Sequence, residues 1–98
     1  MTAHVLALTV DLRIPAAQSL KERRAVVTPL LEGARRRFAV AAADTGSDRH
    51  QRAELSFAAV SGSVTHATEV IDAVERFVWS FPEVEVVSTE RQWSDPSS

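Results

Sequence analysis

The chain has 98 residues, of which 45% are hydrophobic and 24% charged, with a formal net charge of −2. This composition is typical of one globular domain, which at this length can form a core without a metal or a disulfide. The chain has no cysteine, which excludes disulfides and thiolate metal sites, and no run approaches the ~18 apolar residues that a membrane span needs. We therefore expect a cytoplasmic protein without a membrane anchor.

The first two predicted elements are a strand at residues 4–12 and an amphipathic helix at residues 19–38. The strand alternates apolar and mixed side chains, and Ser19 followed three residues later by Glu22 has the form of a capping box that starts the helix. Pro29 in the helix interior predicts a kink near residues 25–28. The apolar stripe of the helix is predicted to consist of Leu20, Val27, Leu30, Leu31 and Ala34.

The rest of the chain predicts three more strands and a second helix. The strands are expected at residues 38–44, 55–60 and 84–89, with an exposed hairpin loop at residues 45–52. The second helix is expected to begin after Ser63 and to end before Pro82, with a buried stripe formed by Ala67, Val70, Ile71, Val74, Val78 and Phe81.

This βαββαβ order predicts an α+β fold, the ferredoxin-like two-layer sandwich. Right-handed crossovers would leave a four-stranded antiparallel sheet with both helices on one face. We predict a single domain at residues 1–93 and a frayed tail at residues 94–98.

The other face of the predicted sheet is left without helices. It should carry small and mildly apolar side chains: Val5, Ala7, Thr9, Ser56, Ala58, Val60 and the alanines of the second strand. A face of this kind is suited to packing against a second copy of the chain, so a homodimer is one hypothesis. Base stacking on this face is not expected, because Phe57 is the only aromatic residue of the third strand and should point inward.

Charge is distributed unevenly along the chain. Residues 13–52 hold nine basic and four acidic residues, a net charge of +5, whereas residues 53–98 hold two basic and eight acidic residues, a net charge of −6. Such an asymmetry can orient a protein toward an anionic partner. The candidate nucleic-acid-binding residues are Lys21, Arg23, Arg24, Arg35, Arg36, Arg37 and Arg52. The alternative is that these side chains only face solvent or pair with acidic residues of the second helix.

Motifs for catalysis and cofactor binding are missing from the sequence. His4, His50 and His66 do not have the spacing of a zinc site, and three glycines leave no phosphate-binding loop. We therefore expect a protein that is not an enzyme and that uses no cofactor and no metal. Trp79 and Trp93 are interpreted as packing residues, although an exposed Trp93 would be suited to anchoring a partner.

Three short motifs carry a resemblance to a known family. They are SLKERR at residues 19–24, RRRF at residues 35–38 and QRAEL at residues 51–55. Together they resemble the YlxP-like family of small bacterial proteins of unknown function. The resemblance spans residues 4–91 and implies a ferredoxin-like fold and a gene among translation genes, near those for initiation factor two and ribosome-binding factor A. It implies no catalytic or ligand residues.

Three hypotheses for the function follow from the sequence. The first is an accessory protein that contacts a ribosomal subunit or ribosomal RNA through the basic residues, and the second is a homodimeric interaction module that uses the open sheet face. The third is a small-molecule or catalytic domain built around the hairpin loop. SLKERR also has an internal interpretation, in which Ser19 and Glu22 only cap the helix and Arg23 or Arg24 pairs with Glu54 or with the second helix.

Overall fold

A computed structural model describes residues 2–46 and 49–94 of the chain. The elements are β1 (His4–Arg13), α1 (Leu20–Phe38), β2 (Ala41–Gly46), β3 (Arg52–Ser61), α2 (Val64–Trp79) and β4 (Glu85–Ser94). Neither of the two helices in this part of the chain is long and apolar enough to cross a membrane.

The four strands form one antiparallel sheet in the order β2-β3-β1-β4. The central strand β1 pairs with β3 over its whole length, from His4 opposite Ser61 to Arg13 opposite Arg52, and pairs with β4 on its other side. α1 contacts β2, α2 contacts β1 and β3, and the two helices contact each other. This arrangement confirms the predicted ferredoxin-like α+β fold.

Burial alternates along the two central strands, because successive side chains of a strand point to opposite faces of the sheet. In β1 the inward residues are fully buried, and in β3 Leu55 and Phe57 are at most 1% exposed. The core also includes four of the six residues predicted for the buried stripe of α2, Ala67, Ile71, Val74 and Val78, whereas Val70 is half-buried and Phe81 lies beyond the end of the helix. The outward residues from Val5 to Thr9 and from Ser56 to Ala58 are half-buried, and Val60 is exposed, so the sheet face without helices is the predicted one.

The junction between α1 and β2 differs from the prediction. Phe38 is the last residue of α1 rather than the first of a strand. Ala39 adopts the left-handed conformation, with φ 54° and ψ 42°, and its N–H donates to the carbonyl of Arg35 at 3.2 Å. This cap ends the helix as a glycine commonly does, but with an alanine that gives no such signal in the sequence.

The predicted hairpin loop at residues 45–52 and the predicted tail are both too long. Pairing with β3 extends β2 as far as Gly46, and Arg52 is the first residue of β3. β4 continues along β1 as far as Ser94, so only residues 95–98 remain of the predicted tail, and these lie outside the described residues. In each case backbone pairing with a long neighbouring strand includes polar residues that local propensity assigns to a loop.

The first turn of α1 has the predicted cap with one change of partner. The Ser19 hydroxyl accepts from the Glu22 N–H at 3.1 Å, and the Glu22 carboxylate accepts from the N–H of Gln18 at 3.1 Å rather than from that of Ser19. Leu20 is 45% exposed, so its predicted place in the core is wrong, and the buried stripe of the helix begins at Arg23. α1 continues through Pro29 without interruption.

Gly33 of α1 faces the Phe77 ring of α2. A Cβ atom at this position would be 2.7 Å from Cζ of Phe77, closer than a real contact allows. The Phe77 ring packs edge-to-face on Phe38 and Phe81, with centroid distances of 5.6 and 5.0 Å. The glycine therefore makes room for an aromatic cluster between the helices.

Candidate functional site

The charge asymmetry of the sequence is also a separation in space. α1 has six basic and two acidic residues, a net charge of +4, and packs beside the edge strand β2. α2 and β4 together have five acidic and two basic residues, a net charge of −3, and β4 is the opposite edge of the sheet. The molecule therefore has a basic side at α1 and an acidic side at α2 and β4.

Arg23 does not belong to the surface of the basic side. It is 5% exposed, and its guanidinium faces the sheet. Nη1 and Nη2 donate to the two carboxylate oxygens of Asp44 at 2.7 and 3.1 Å, and Nε donates to the carbonyl of Arg52 at 2.8 Å. Because this bidentate pair and the backbone carbonyl occupy the guanidinium, Arg23 is removed from the candidate phosphate-binding residues.

The motifs SLKERR and QRAEL meet at this position. Besides the bond from Arg23 to the Arg52 carbonyl, Gln51 contributes its carbonyl to the N–H of Ile14 at 2.9 Å and its side-chain amide to the carbonyl of Pro15 at 3.3 Å. These bonds join the start of β3 to α1 and to the segment that leads into it. The internal interpretation of SLKERR thus holds for Arg23, although its partner is Asp44 and not Glu54.

Two of the three arginines in the last turn of α1 also make contacts within the protein. Arg35 donates through Nη2 to the carbonyl of Ala42 in the edge strand β2. The guanidinium carbon of Arg37 lies 5.2 Å from the centroid of the Phe77 ring, a cation–π distance. Both residues remain exposed, so their contacts orient the side chains without removing their charge from the surface.

Lys21, Arg24 and Arg36 are the exposed cations of α1 that have no such partner. In residues 2–46 and 49–94 their side chains form no hydrogen bond and no ion pair. Arg24 and Arg35 are 11 residues apart, close to three helical turns, and therefore lie on the same side of α1 about 16 Å apart. We call the exposed cations of this helix the α1 basic face: Lys21, Arg24, Arg35, Arg36 and Arg37.

Arg52 lies on the other side of the sheet. Its side chain is on the open face, where Nη2 donates to the Asp11 carboxylate at 2.8 Å. The sequence placed Arg52 with the arginines of the helix, but a strand residue of the open face and a residue of the outer helix surface cannot contact one ligand surface together. Arg52 is therefore not part of the α1 basic face.

The open sheet face has two chemically different halves. One is a shallow depression of about 250 Å³ near the start of β2, and its lining includes the alanines Ala7, Ala41, Ala43 and Ala58. The other is a polar cavity of about 390 Å³ beside the hairpin loop. Its lining includes Thr9, Asp11, Gly46, Arg49, Arg52, Glu54, Ser88 and Glu90. The predicted small apolar face is thus only half of the open surface.

On the acidic side, one arginine connects β4 to α2. Arg91 contacts Asp72 at 2.8 Å and Glu75 at 3.3 Å. Partial burial lowers the pKa of the Arg91 guanidinium, but hydrogen bonds and the charges of the two carboxylates outweigh that effect and raise the pKa above its usual value. Arg91 is therefore charged at neutral pH.

Both tryptophans are on the surface, which contradicts their interpretation as packing residues. Trp79 at the end of α2 is 60% exposed and Trp93 in β4 is 45% exposed. The core of this small domain is filled by aliphatic residues and Phe57, so neither indole is needed there.

The three histidines were the only candidates for an imidazole metal site. Across the described ranges, no three histidine, aspartate or glutamate side chains are grouped so that they could hold an ion. His50 and His66 are both exposed, one in the hairpin loop and one in the first turn of α2.

Comparisons with known proteins agree with the family resemblance and with the fold. The family model described as a protein of unknown function (DUF503) matches residues 5–91. The uncharacterized protein YlxP of Bacillus subtilis (strain 168) is 37% identical over 78 residues, which cover 79% of this chain and 85% of the relative.

Among solved structures, two de novo designed proteins share the fold. Foldit4 matches with a TM-score of 0.55 and 13% identity, covering 94% of this chain and 96% of the design. A design with a ferredoxin fold, LFR1 1, also matches with a TM-score of 0.55, at 12% identity over 96% of this chain and 86% of the design. These designs support the fold alone, whereas the sequence matches show that the chain belongs to the YlxP-like DUF503 family of unknown function.

Proposed function

We propose that this protein is a non-enzymatic cytoplasmic accessory protein that binds structured RNA, and ribosomal RNA in particular, through the α1 basic face. The observation that carries the proposal is the exposure of Lys21, Arg24 and Arg36 without an internal partner. Phosphate groups are natural ligands of such exposed cations, because each phosphate contact releases condensed counterions.

The net charge of α1 supports a polyanion over a small anion. A helix of 19 residues is about 28 Å long, and its exposed cations extend from the first turn to the last. A ligand that neutralises all of them must itself carry negative charge over that length, as a nucleic-acid backbone does. The translation-gene neighbourhood implied by the family resemblance favours ribosomal RNA among nucleic acids.

Many RNA-binding domains of this fold bind bases on the open sheet face, but the open sheet face of this protein is not suited to that role. Its outward side chains include no aromatic residue in β1, β2 or β3, so bases have no stacking platform there. Binding through α1 would therefore read the shape and charge of the RNA rather than its sequence.

Co-sedimentation with purified small and large ribosomal subunits tests this proposal. We expect the wild-type protein to sediment with one of the subunits at about 50 mM salt and to be released at about 200 mM salt, as phosphate contacts require. An Arg24→Ala/Arg36→Ala variant should fail to bind at the lower salt concentration.

The matched control is Arg13→Ala/Arg76→Ala. It also removes two exposed arginines that form no hydrogen bond or ion pair in the described part of the chain, but from β1 and α2. This control should bind nearly as the wild type does. Equal binding by both double variants would contradict a role of the α1 basic face.

A second candidate function, a homodimeric interaction module, is favoured by the alanine half of the open sheet face. Val60 is 68% exposed and is on the same sheet face as the four alanines of the depression, and a second copy could cover these side chains without burying charge. Self-association through this half would be insensitive to salt, and Ala58→Arg would abolish it. Sedimentation velocity at two salt concentrations distinguishes this candidate, because a monomer at all protein concentrations would contradict it.

A further inference from the structure

The acidic side of the molecule presents two tryptophans to solvent. Tryptophan is among the residue types most enriched among the residues that dominate binding energies, so two exposed indoles on one side of a small domain mark it as a candidate binding surface. Trp79 and Trp93 are also the only tryptophans in the chain.

The two indoles lie on either side of the contact between Arg91 and α2. Trp79 follows Glu75 by four residues and Asp72 by seven, so the three share a side of α2. The contacts of Arg91 with Asp72 and Glu75 place β4 along this side of the helix. Trp93, two residues after Arg91, points to the same face of β4 and lies about 7 Å beyond Arg91. Because α2 connects two parallel strands and runs opposite to β4, Trp79 and Trp93 lie on opposite sides of Arg91 along this surface. We call this the tryptophan surface: Asp72, Glu75, Trp79, Arg91 and Trp93.

The charge of this surface selects the chemistry of its partner. Its two carboxylates exceed its one guanidinium, and α2 and β4 together carry a net charge of −3. Nucleic acid is repelled by that charge, whereas lysine and arginine side chains are attracted to it. The same cations stack favourably on indole rings, with tryptophan the best of the aromatic partners.

We propose that the tryptophan surface binds a lysine- and arginine-rich segment of a partner protein. This role is separate from RNA binding by the α1 basic face, because the two surfaces are built from different elements and have opposite charge. The protein would then connect an RNA to a basic protein.

Isothermal titration calorimetry with a short peptide of lysine, arginine and glycine tests the proposal on the full chain. The wild type should bind with 1:1 stoichiometry, and Trp79→Ala and Trp93→Ala should each weaken the affinity by roughly fivefold or more. Intrinsic fluorescence should shift on peptide addition, and it reports this surface directly because the protein has no other tryptophan.

Two controls separate the specific surface from general charge attraction. Val60→Ala removes an exposed apolar side chain from the open sheet face and should leave the peptide affinity unchanged. Arg24→Ala/Arg36→Ala should also leave it unchanged, so failure of the RNA proposal would not affect this test. Equal affinity of the wild type and both tryptophan variants would overturn the proposal, as would a fluorescence response to oligouridylate but not to the peptide.

Discussion

The two sides of α1 differ most clearly at the adjacent residues Arg23 and Arg24. Arg23 points toward the sheet, is 5% exposed and has hydrogen bonds to Asp44 and to the Arg52 carbonyl. Arg24 points outward and, within the described ranges, contacts no acceptor. One motif therefore contains a cation that stabilises the fold and a cation that is available to a ligand.

A second comparison shows why burial decides the role of an arginine here. The ion pair of Arg23 has side chains that are 6% and 34% exposed, whereas that of Arg52 with Asp11 is 37% and 36% exposed. The distances are nearly equal, at 2.7 and 2.8 Å. Water and salt weaken the pair of Arg52 with Asp11, but they hardly reach the buried guanidinium of Arg23. The pair of Arg23 with Asp44 should therefore contribute much more to stability than the pair of Arg52 with Asp11.

Arg23→Ala is expected to have the largest effect on stability. It leaves the Asp44 carboxylate and the Arg52 carbonyl without their donor, and we expect a loss of about 2 to 4 kcal/mol in the free energy of unfolding. Urea denaturation followed by circular dichroism measures this loss.

Arg24→Ala is the matched control for that experiment, because it removes the same side chain one residue further along the same helix. It should change the free energy of unfolding by no more than about 0.5 kcal/mol. A similar loss of stability in both variants would contradict the claim that Arg23 stabilises the fold and Arg24 does not.

Gly33→Ala is expected to have an intermediate effect, on the inner side of the helix where α1 meets α2. Overpacking against Phe77 costs about 1 to 3 kcal/mol, and the better helix propensity of alanine returns about 1 kcal/mol. The net loss should be about 1 kcal/mol, which thermal unfolding measures. Ala25→Gly, at an exposed position of the same helix, measures the propensity contribution alone. A Gly33→Ala variant more stable than the wild type would contradict the close contact.

Asp11→Asn is expected to have the smallest effect of the three. It removes the charge from the half-exposed pair with Arg52, so the free energy of unfolding should fall by about 0.5 kcal/mol or less. Urea denaturation at low and high salt provides the measurement, and the difference from the wild type should shrink as salt increases. A loss as large as that of Arg23→Ala would contradict the conclusion that water and salt screen the ion pair of Asp11 and Arg52.

The sequence was sufficient for the fold because its periodic patterns are strong where the core is formed. Alternation in β1 and the apolar stripe of α2 determine which faces are buried, and the order of elements then restricts the topology. The limits of β2 could not be predicted, for two reasons. The left-handed residue that ends α1 is an alanine, which does not indicate a helix end, and pairing with β3 extends β2 through Thr45 and Gly46, which are typical loop residues.

The candidate site was only partly predictable for a related reason. The basic residues were visible in the sequence, but the burial of Arg23 depends on Asp44, which is 21 residues away and adjacent only after β2 has joined the sheet. The sequence does contain one indication of this pair, because Asp44 is a single acidic residue at the end of the apolar residues 38–43. The exposure of both tryptophans and the contact of Gly33 with Phe77 depend on tertiary packing that no local pattern encodes.

The salt dependence of RNA affinity is the measurement that tests the central proposal most directly. Fluorescence anisotropy with a labelled ribosomal RNA fragment gives the slope of log affinity against log salt for the wild type, Arg24→Ala/Arg36→Ala and Arg13→Ala/Arg76→Ala. We predict that the first double variant reduces the magnitude of the slope by roughly 1.4 to 1.8, the value for two lost phosphate contacts, and that the second leaves it nearly unchanged. The same slope for all three proteins, or no RNA binding by the wild type, would contradict the proposal.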